Sequence, residues 1–244
     1  MNQLFFENHL HFDKVDSTND ELLNLVKNND IKEGFVLSAS FQNSGRGQRQ
    51  KRWDSEFGQN LLFSIFLCPR LSVFDHFKLI QFVSLGISDF LSSFIETGFE
   101  IKWPNDILFN GKKIAGVLVE NKVSGSIITQ SVLGIGLNVN QTQFNLYDRE
   151  ATSLSLLLNR RFCLDDLKKR LLLSLQNRYR SLYSNKLHLE YENILYLRGI
   201  SAEFMIKNRV KRGIIKCVSK SGELQMQIDG KFHSFGHKDI QYHF

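Results

Sequence analysis

Apolar positions along the chain change their period several times, and each change marks an element. Residues 10–16 read as a short strand, and Thr18 followed by Glu21 has capping-box spacing ahead of Leu22, Leu23, Leu25 and Val26. The segment DSTN, 16–19, therefore sits at a strand-to-helix junction. Phe35–Phe41 and Asn60–Leu67 read as strands, with a loop rich in glycine and basic residues hung between them. From Phe77 to Thr97 apolar residues cover more than one helical face and Gly98 follows, which predicts a buried central helix with a glycine C-terminal cap. EIKWPNDILFNGKKIAGVLVE predicts a strand, a proline interruption, then a hairpin turning at Asn110-Gly111, a type I′ signal. Lys112 and Lys113 begin its returning strand. Ile127–Val139 continues the β pattern, and Leu164, Leu167, Leu171, Leu175, Tyr179 and Leu182 trace a long amphipathic helix.

From Ser201 the texture shifts to short strands with glycine turns expected at Gly213, Gly222, Gly230 and Gly236, which suits a small β barrel. The predicted class is α+β: a mixed, mainly antiparallel sheet with helices, then the barrel. A boundary near 190–198 divides a larger domain, 1–195, from a smaller one, 196–244. No internal repeat is visible.

Composition narrows the picture modestly. The 244 residues are 42% apolar and 23% charged with two prolines, an ordinary globular balance. A net charge of +6 favours anionic partners without implying nucleic acid. Cys68, Cys163 and Cys217 form no CxxC pair, so neither a disulfide framework nor a zinc site is expected, and a reducing cytoplasm fits. The N-terminal MNQLFFENHLHF lacks a signal-peptide pattern, and no run approaches the roughly 18 apolar residues that span a bilayer. The expectation is a soluble, untargeted, cytoplasmic protein.

Three stretches carry candidate chemistry. SGRGQRQKRW, 44–53, combines Gly45 and Gly47, which permit positive φ and free backbone N–H groups, with Arg46, Arg49, Lys51 and Arg52. It suits a phosphate or acyl phosphate, and taken alone it suits a solvated basic loop equally; it is not a Walker A motif. KWPND, 102–106, puts a cation, an aromatic and a carboxamide-carboxylate pair at a strand end, where turn residues around a core Trp103 are the plainer reading. Lys113 follows Asp106 by seven positions across a tight turn that folds it back to the same surface. GIGLNVN, 134–140, has two glycines on an apolar strand, permitting close approach of a backbone or ligand, or simply a tight central strand. None of the seven histidines has metal-ligand spacing or a nucleophile partner.

In order, DSTN, Gln42 with GRGQRQKRW, GQNL (58–61), KWPNDILFNGKKIAGVLVE and GIGLNVN resemble the biotin protein ligases over residues 12–155, and FGHKDIQY resembles the end of that family's C-terminal barrel. The resemblance implies a class II synthetase-like catalytic domain followed by an SH3-like barrel. It implies a biotin–[acetyl-CoA-carboxylase] ligase that joins biotin to ATP as biotinyl-5′-AMP, then passes biotin to a lysine of the biotin-carrier domain of acetyl-CoA carboxylase or another biotin-dependent carboxylase. Ser17, Thr18, Asn19 and Gln42 would line the biotin site. Arg46, Gly47 and Gln48 would wrap biotin and the adenylate phosphate, Trp53 would lie near adenine, and Gly45, Gly116 and Asn138 belong to the same binding set. Lys113 and Arg46 would be catalytic; Asn105 and Asp106 would organise nucleotide and Mg²⁺, with Asp106 as the metal ligand.

Two departures stand out. The family loop often reads GRGRxGRxW, whereas this chain has Gln48, Gln50 and Lys51 at three of those positions, and an uncharged Gln48 should hold the adenylate more loosely. DSTN begins at residue 16, too early for the winged helix-turn-helix that some members use as a repressor, so ligase activity without specific DNA binding is expected. A homodimer is left open. The rivals are a lipoate or octanoate ligase or transferase of the same superfamily, a basic nucleic-acid-binding module, and a non-catalytic biotin-binding protein.

Overall fold

The computed structural model describes residues 5–6, 8–48, 51–145, 150–184 and 186–243. Arg49 and Gln50 of the basic loop lie outside that set. The elements run β1 (His9–Val15), α1 (Thr18–Asn28), β2 (Val36–Gln42), β3 (Leu61–Leu67), β4 (Leu71–Ser72), α2 (Phe77–Ser92), β5 (Phe99–Lys102), β6 (Asp106–Phe109), β7 (Lys112–Ser124), β8 (Ile127–Leu137), α3 (Leu154–Leu158), α4 (Leu164–Tyr179), α5 (Lys186–Asn193), β9 (Ser201–Ile206), β10 (Arg209–Val218), β11 (Leu224–Ile228), β12 (Lys231–Phe235) and β13 (Ile240–Tyr242).

The first eight strands form one sheet in the order β1-β2-β3-β8-β7-β6-β5, with β4 paired to β8. Among the described residues β1 and β2 run parallel, and the other strand-to-strand pairings of this sheet are antiparallel. The fold is α+β with a mainly antiparallel sheet, as the alternation of hairpins foretold. β3, Leu61–Leu67, is buried at all seven positions, which explains its near-continuous apolar run. α2 packs on this sheet and α4 packs on α2, with Phe82, Leu171 and Leu175 buried in the shared core. Among the described residues no helix is long and apolar enough to cross a membrane.

The last five strands form a second, antiparallel sheet ordered β12-β11-β10-β9-β13. It joins the first through specific contacts rather than apolar packing alone. The Trp103 indole N–H donates to the Gly222 carbonyl at 2.9 Å, while on the first sheet's side of the junction the Tyr191 hydroxyl of α5 donates to Pro104 O at 2.9 Å. Gly222 lies hard against Phe77, so closely that an added Cβ would stand 2.6 Å from its ring. Buried Glu192 of α5 accepts from the Val218 N–H of β10 at 2.7 Å, and the Arg198 guanidinium lies 3.6 Å from its other oxygen.

Local expectations were corrected in three places. The N-cap of α1 is Ser17, with Thr18 already inside the helix, because both the Thr18 N–H and its hydroxyl are engaged by Gln42 Oε1 at 2.8 and 3.1 Å. α2 ends at Ser92, five residues before Thr97; the Ser93 hydroxyl turns back onto Phe90 O at 2.6 Å, and Gly98, at φ +101°, leads into β5 instead of capping the helix. Gly213 lies inside β10, where a Cβ would press on Ile228 and Met226, and the β9–β10 turn is made by Lys207 and Asn208, both at positive φ. The Asn110-Gly111 turn forms as expected: both residues have positive φ and Phe109 pairs with Lys112.

Candidate active site

A cavity of about 700 Å³ opens over the middle of the large sheet. One wall begins at the N-terminus of α1. Ser17, Thr18 and Asn19 are buried there, and a serine inside the otherwise apolar β3, Ser64, explains how. The Ser64 hydroxyl donates to Asn19 Oδ1 at 2.6 Å and lies 2.8 Å from the Thr18 hydroxyl. Gln42, at the end of β2, receives the Thr18 N–H, so strand and helix end are locked together. Asn19 lies against Gly134, whose missing side chain makes room for its carboxamide.

The basic loop is a small hairpin in its own right. Arg46 bridges Arg52 in antiparallel fashion, the Gly47 N–H donates to Lys51 O at 2.7 Å, and the Trp53 N–H donates to Gly45 O at 2.9 Å. Neither Gly45 nor Gly47 takes positive φ, and the Gly47 amide is used within the loop. Glycine is needed at 45 because a Cβ there would collide with the Trp53 carbonyl and the Gln42 carboxamide. The loop thus closes by tight approach of its two limbs, a different reason for glycine from the anion nest expected.

Arg46 is held by acidic groups the motif reading did not single out. Its Nη2 lies 2.6 Å from Asp20 Oδ1 on α1 and 2.6 Å from Glu120 Oε2 on β7. The same Glu120 oxygen accepts from Asn19 Nδ2 at 2.7 Å. Glu120 therefore ties loop, helix and sheet at one atom. The signal was present in sequence as the acid closing GVLVE, but only folding shows that it faces Arg46.

The opposite wall is built by the β6–β7 hairpin. A bulge in β7 at Ile114, where Ile107 pairs with Ala115 but Leu108 with Lys113, re-aims the strand beside Lys113. The backbone there is pinned again by residues 150–152: the Lys113 N–H donates to Glu150 O at 2.9 Å and Thr152 N–H donates to Lys113 O at 2.8 Å. Lys113 Nζ lies 2.7 Å from Asp106 Oδ1 and 5.3 Å from the Trp53 ring centre, while Lys102 Nζ lies 3.9 Å from Asp106 Oδ2. Trp53 itself lies over Gly116 and Gly136, and a Cβ on Gly136 would overlap its indole. Both glycines of GIGLNVN are therefore explained by side chains lying close over the strand, Asn19 on one and Trp53 on the other.

Among the described residues the cavity brings together Ser17, Thr18, Asn19, Gln42, Arg46, Gly47, Gln48, Trp53, Asn105, Asp106, Lys113, Gly116 and Asn138, while Gly45 lies behind the loop, outside its lining. Two of these carboxamides are also braces: Asn105 Nδ2 donates to Val117 O at 2.5 Å, and Asn138 Nδ2 to Thr152 O at 3.0 Å. The second sheet also reaches the cavity, through Ile240, Gln241 and Tyr242 of β13, with Lys102 Nζ 5.1 Å from the Tyr242 ring centre. The strand was legible only as part of FGHKDIQY, the close of the barrel; that it reaches the cavity was not, because the motifs from DSTN to GIGLNVN lie a hundred residues or more before it.

The profile of the biotin/lipoate A/B protein ligase family matches residues 11–138, just over half of the 244 residues. The chain belongs to this family. Among relatives of the biotin/lipoate ligase family, the bifunctional ligase/repressor BirA of Bacillus spizizenii is 30% identical over 175 residues, 70% of this chain and 54% of that protein. A Mycobacterium tuberculosis protein named biotin–[acetyl-CoA-carboxylase] ligase is 34% identical over 144 residues, 57% of this chain and 51% of that one. The chain spans about half the length of the curated relatives it matches. Among solved members of the family, the biotin protein ligase from Aquifex aeolicus, in complex with biotin and ATP, has the same fold, with a TM-score of 0.79 at 23% identity over 98% of this chain and 100% of that one. The matched stretch contains every cavity residue contributed by α1, the basic loop and the β6–β7 hairpin.

Proposed function

We propose that this protein is an ATP-dependent biotin–protein ligase. It activates biotin as biotinyl-5′-AMP and transfers it to a lysine of a biotin-carrier domain, that of acetyl-CoA carboxylase or another biotin-dependent carboxylase. We assign the biotin- and ATP-binding catalytic domain to residues 1–195 and a small β-barrel domain, whose last strand borders the same cavity, to residues 196–244. The observation that carries the reading is the convergence of Arg46, Lys113, Trp53 and the Ser17–Asn19 helix end on one cavity in a biotin/lipoate ligase fold.

Adenylation brings a carboxylate against a triphosphate, so like-charge repulsion opposes approach. Arg46 and Lys113 offset it from opposite walls. In this reading a biotin carboxylate oxygen attacks the α-phosphorus, the bond to the β-phosphate oxygen breaks, and pyrophosphate leaves. Lys113, steered by Asp106 and the β7 bulge, meets the charge that develops on the α-phosphate oxygens. Thr18, Asn19 and Gln42 supply the hydrogen-bonding rim for the polar ring of biotin, and Trp53 presents an aromatic face for adenine. In the second step the acceptor amine attacks the acyl carbon, the bond to the AMP oxygen breaks, AMP leaves and a proton passes to solvent.

Mg²⁺ fits the residues in a limited way. Among the described residues no group of three His, Cys, Asp or Glu gathers, and Asp106 is the carboxylate that lines the cavity beside Lys113. That suits an ion that arrives with ATP and keeps phosphate and water as its remaining ligands. When bound, it would screen phosphate charge.

The test is direct. The protein is incubated with ATP, Mg²⁺, biotin and a biotin-carrier domain, and the carrier gains the mass of biotinyl on one lysine. Lipoate in place of biotin is the control: faster pyrophosphate exchange with lipoate would overturn the reading in favour of a lipoate ligase.

A further inference from the structure

Charge is distributed unevenly along the chain. Residues 196–244 hold nine Lys or Arg and four Asp or Glu, a net +5, so nearly all of the chain's +6 sits in its last fifth. The concentration is sharpest at the β9–β10 hairpin, where Lys207, Arg209, Lys211 and Arg212 are all exposed around Val210, itself 46% exposed. Of these four cations, Arg212 is the one with a carboxylate partner among the described residues, Glu203 at 3.1 Å.

Register places two of the cations with respect to the cavity. Ile240 pairs with Ile206, which pairs in turn with Arg209; Tyr242 pairs with Phe204, which pairs with Lys211. Directly opposed residues in an antiparallel sheet point to the same face. The ring contact of Phe204 with Tyr242, centres 5.3 Å apart, shows that the rule holds here. Arg209 and Lys211 thus extend the rows that begin at Ile240 and Tyr242 in the cavity wall, two strands away and therefore about 10 Å outward. Through them the wall that begins at β13 continues outward into a basic rim at the β9–β10 hairpin.

We infer that this rim is the docking surface for an acidic face of the protein that accepts biotin. The inference rests on the ligase reading above, because that reaction requires a macromolecular amine to reach the cavity and therefore to cover its rim. Exposed cations at that rim favour an acceptor with carboxylates around its target lysine. Their effect falls on the rate of encounter, since rim charges steer association more than they stabilise the final complex. They stand outside the cavity, so adenylation does not need them.

The test uses the full-length chain with Lys207, Arg209 and Lys211 each replaced by Glu, compared with the unaltered protein. Biotin-dependent ATP–pyrophosphate exchange is measured first, then transfer to a biotin-carrier domain at 20 and 300 mM salt. The expected result is unchanged exchange with kcat/KM for the carrier lowered by roughly tenfold or more at low salt, the two proteins converging as salt rises. Equal transfer rates at low salt would overturn the inference while leaving the ligase reading intact. A raised KM for ATP with unaltered carrier KM would overturn it too, by showing that the cations serve the nucleotide. Absence of biotin-dependent exchange in the unaltered protein would overturn both.

Discussion

Lys113 and Arg46 are both cations, but the structure holds them by different means. Lys113 is aimed by backbone: a bulge, two hydrogen bonds from residues 150–152 and Asp106 at 2.7 Å. Replacing it by Ala should remove a donor preorganised for the α-phosphate, which typically costs about 3 kcal/mol, on the order of a hundredfold in rate. Biotinyl-AMP formation near the unaltered rate in Lys113→Ala would refute its assignment. Arg46 is aimed by side chains, through the pair of carboxylates Asp20 and Glu120. These are partly exposed, so each contributes modestly to stability. Glu120→Gln should therefore raise KM for biotin a few-fold with little change in melting temperature, a split that a loss of folding would not give. At Gln48 the chain has a neutral group where the family loop often has arginine, and charge-assisted hydrogen bonds are roughly twice as strong as neutral ones. Gln48→Arg should slow biotinyl-AMP dissociation, and stopped-flow release at the unaltered rate would dismiss that view.

At the scale of elements, glycine placement on β8 is the clearest link between sequence and site. Gly134 and Gly136 form an alternating pair on the same face of the strand, and Asn19 and Trp53 rest on them. Gly136→Ala should overpack against Trp53, lowering stability by about 1–3 kcal/mol, or the melting temperature by several degrees. Calorimetry of that variant, alone and combined with Trp53→Ala, tests the packing cause: without the indole above it the added methyl should cost far less. Most elements were legible because apolar period and turn residues agree: β3 as an unbroken apolar run, the Asn110-Gly111 hairpin, and α4 with leucines at three and four. Misreadings came where a side chain competed with propensity. Gln42 claims the Thr18 hydroxyl that would have been the cap, and Ser93 closes α2 before Gly98 can. Gly45 and Gly47 were recognisable as special positions, but their role in letting the loop limbs meet depends on Trp53 and Lys51 being across from them.

For the whole molecule, the junction between the sheets is polar and buried. Glu192 receives the Val218 N–H, faces Arg198 and lies 3.5 Å from His188 Nε2, while the other His188 ring nitrogen meets Gln81 at 2.8 Å. Glu192→Leu should orphan the Val218 N–H and leave Arg198 without its carboxylate, costing about 1–3 kcal/mol. Because β13 lines the cavity, the same variant should also raise KM for ATP, which equilibrium unfolding and initial-rate assays can report side by side. This contribution of the last strand to the site was invisible in sequence: it requires the chain to return across more than a hundred residues, and no local pattern encodes that return.

The two tryptophans stand in different parts of this arrangement. Trp53 lies half-buried in the cavity above Gly136 and beside Lys113, whereas Trp103 is sealed in the junction with its N–H on Gly222. Their emission should consequently divide by cause. A ligand entering the cavity would change the spectrum of the first, and separation of the sheets would shift that of the second to the red. Trp103 also borders the cavity, so Trp53→Phe leaves a reporter of junction and occupancy together, whereas Trp103→Phe leaves one that senses occupancy without the junction.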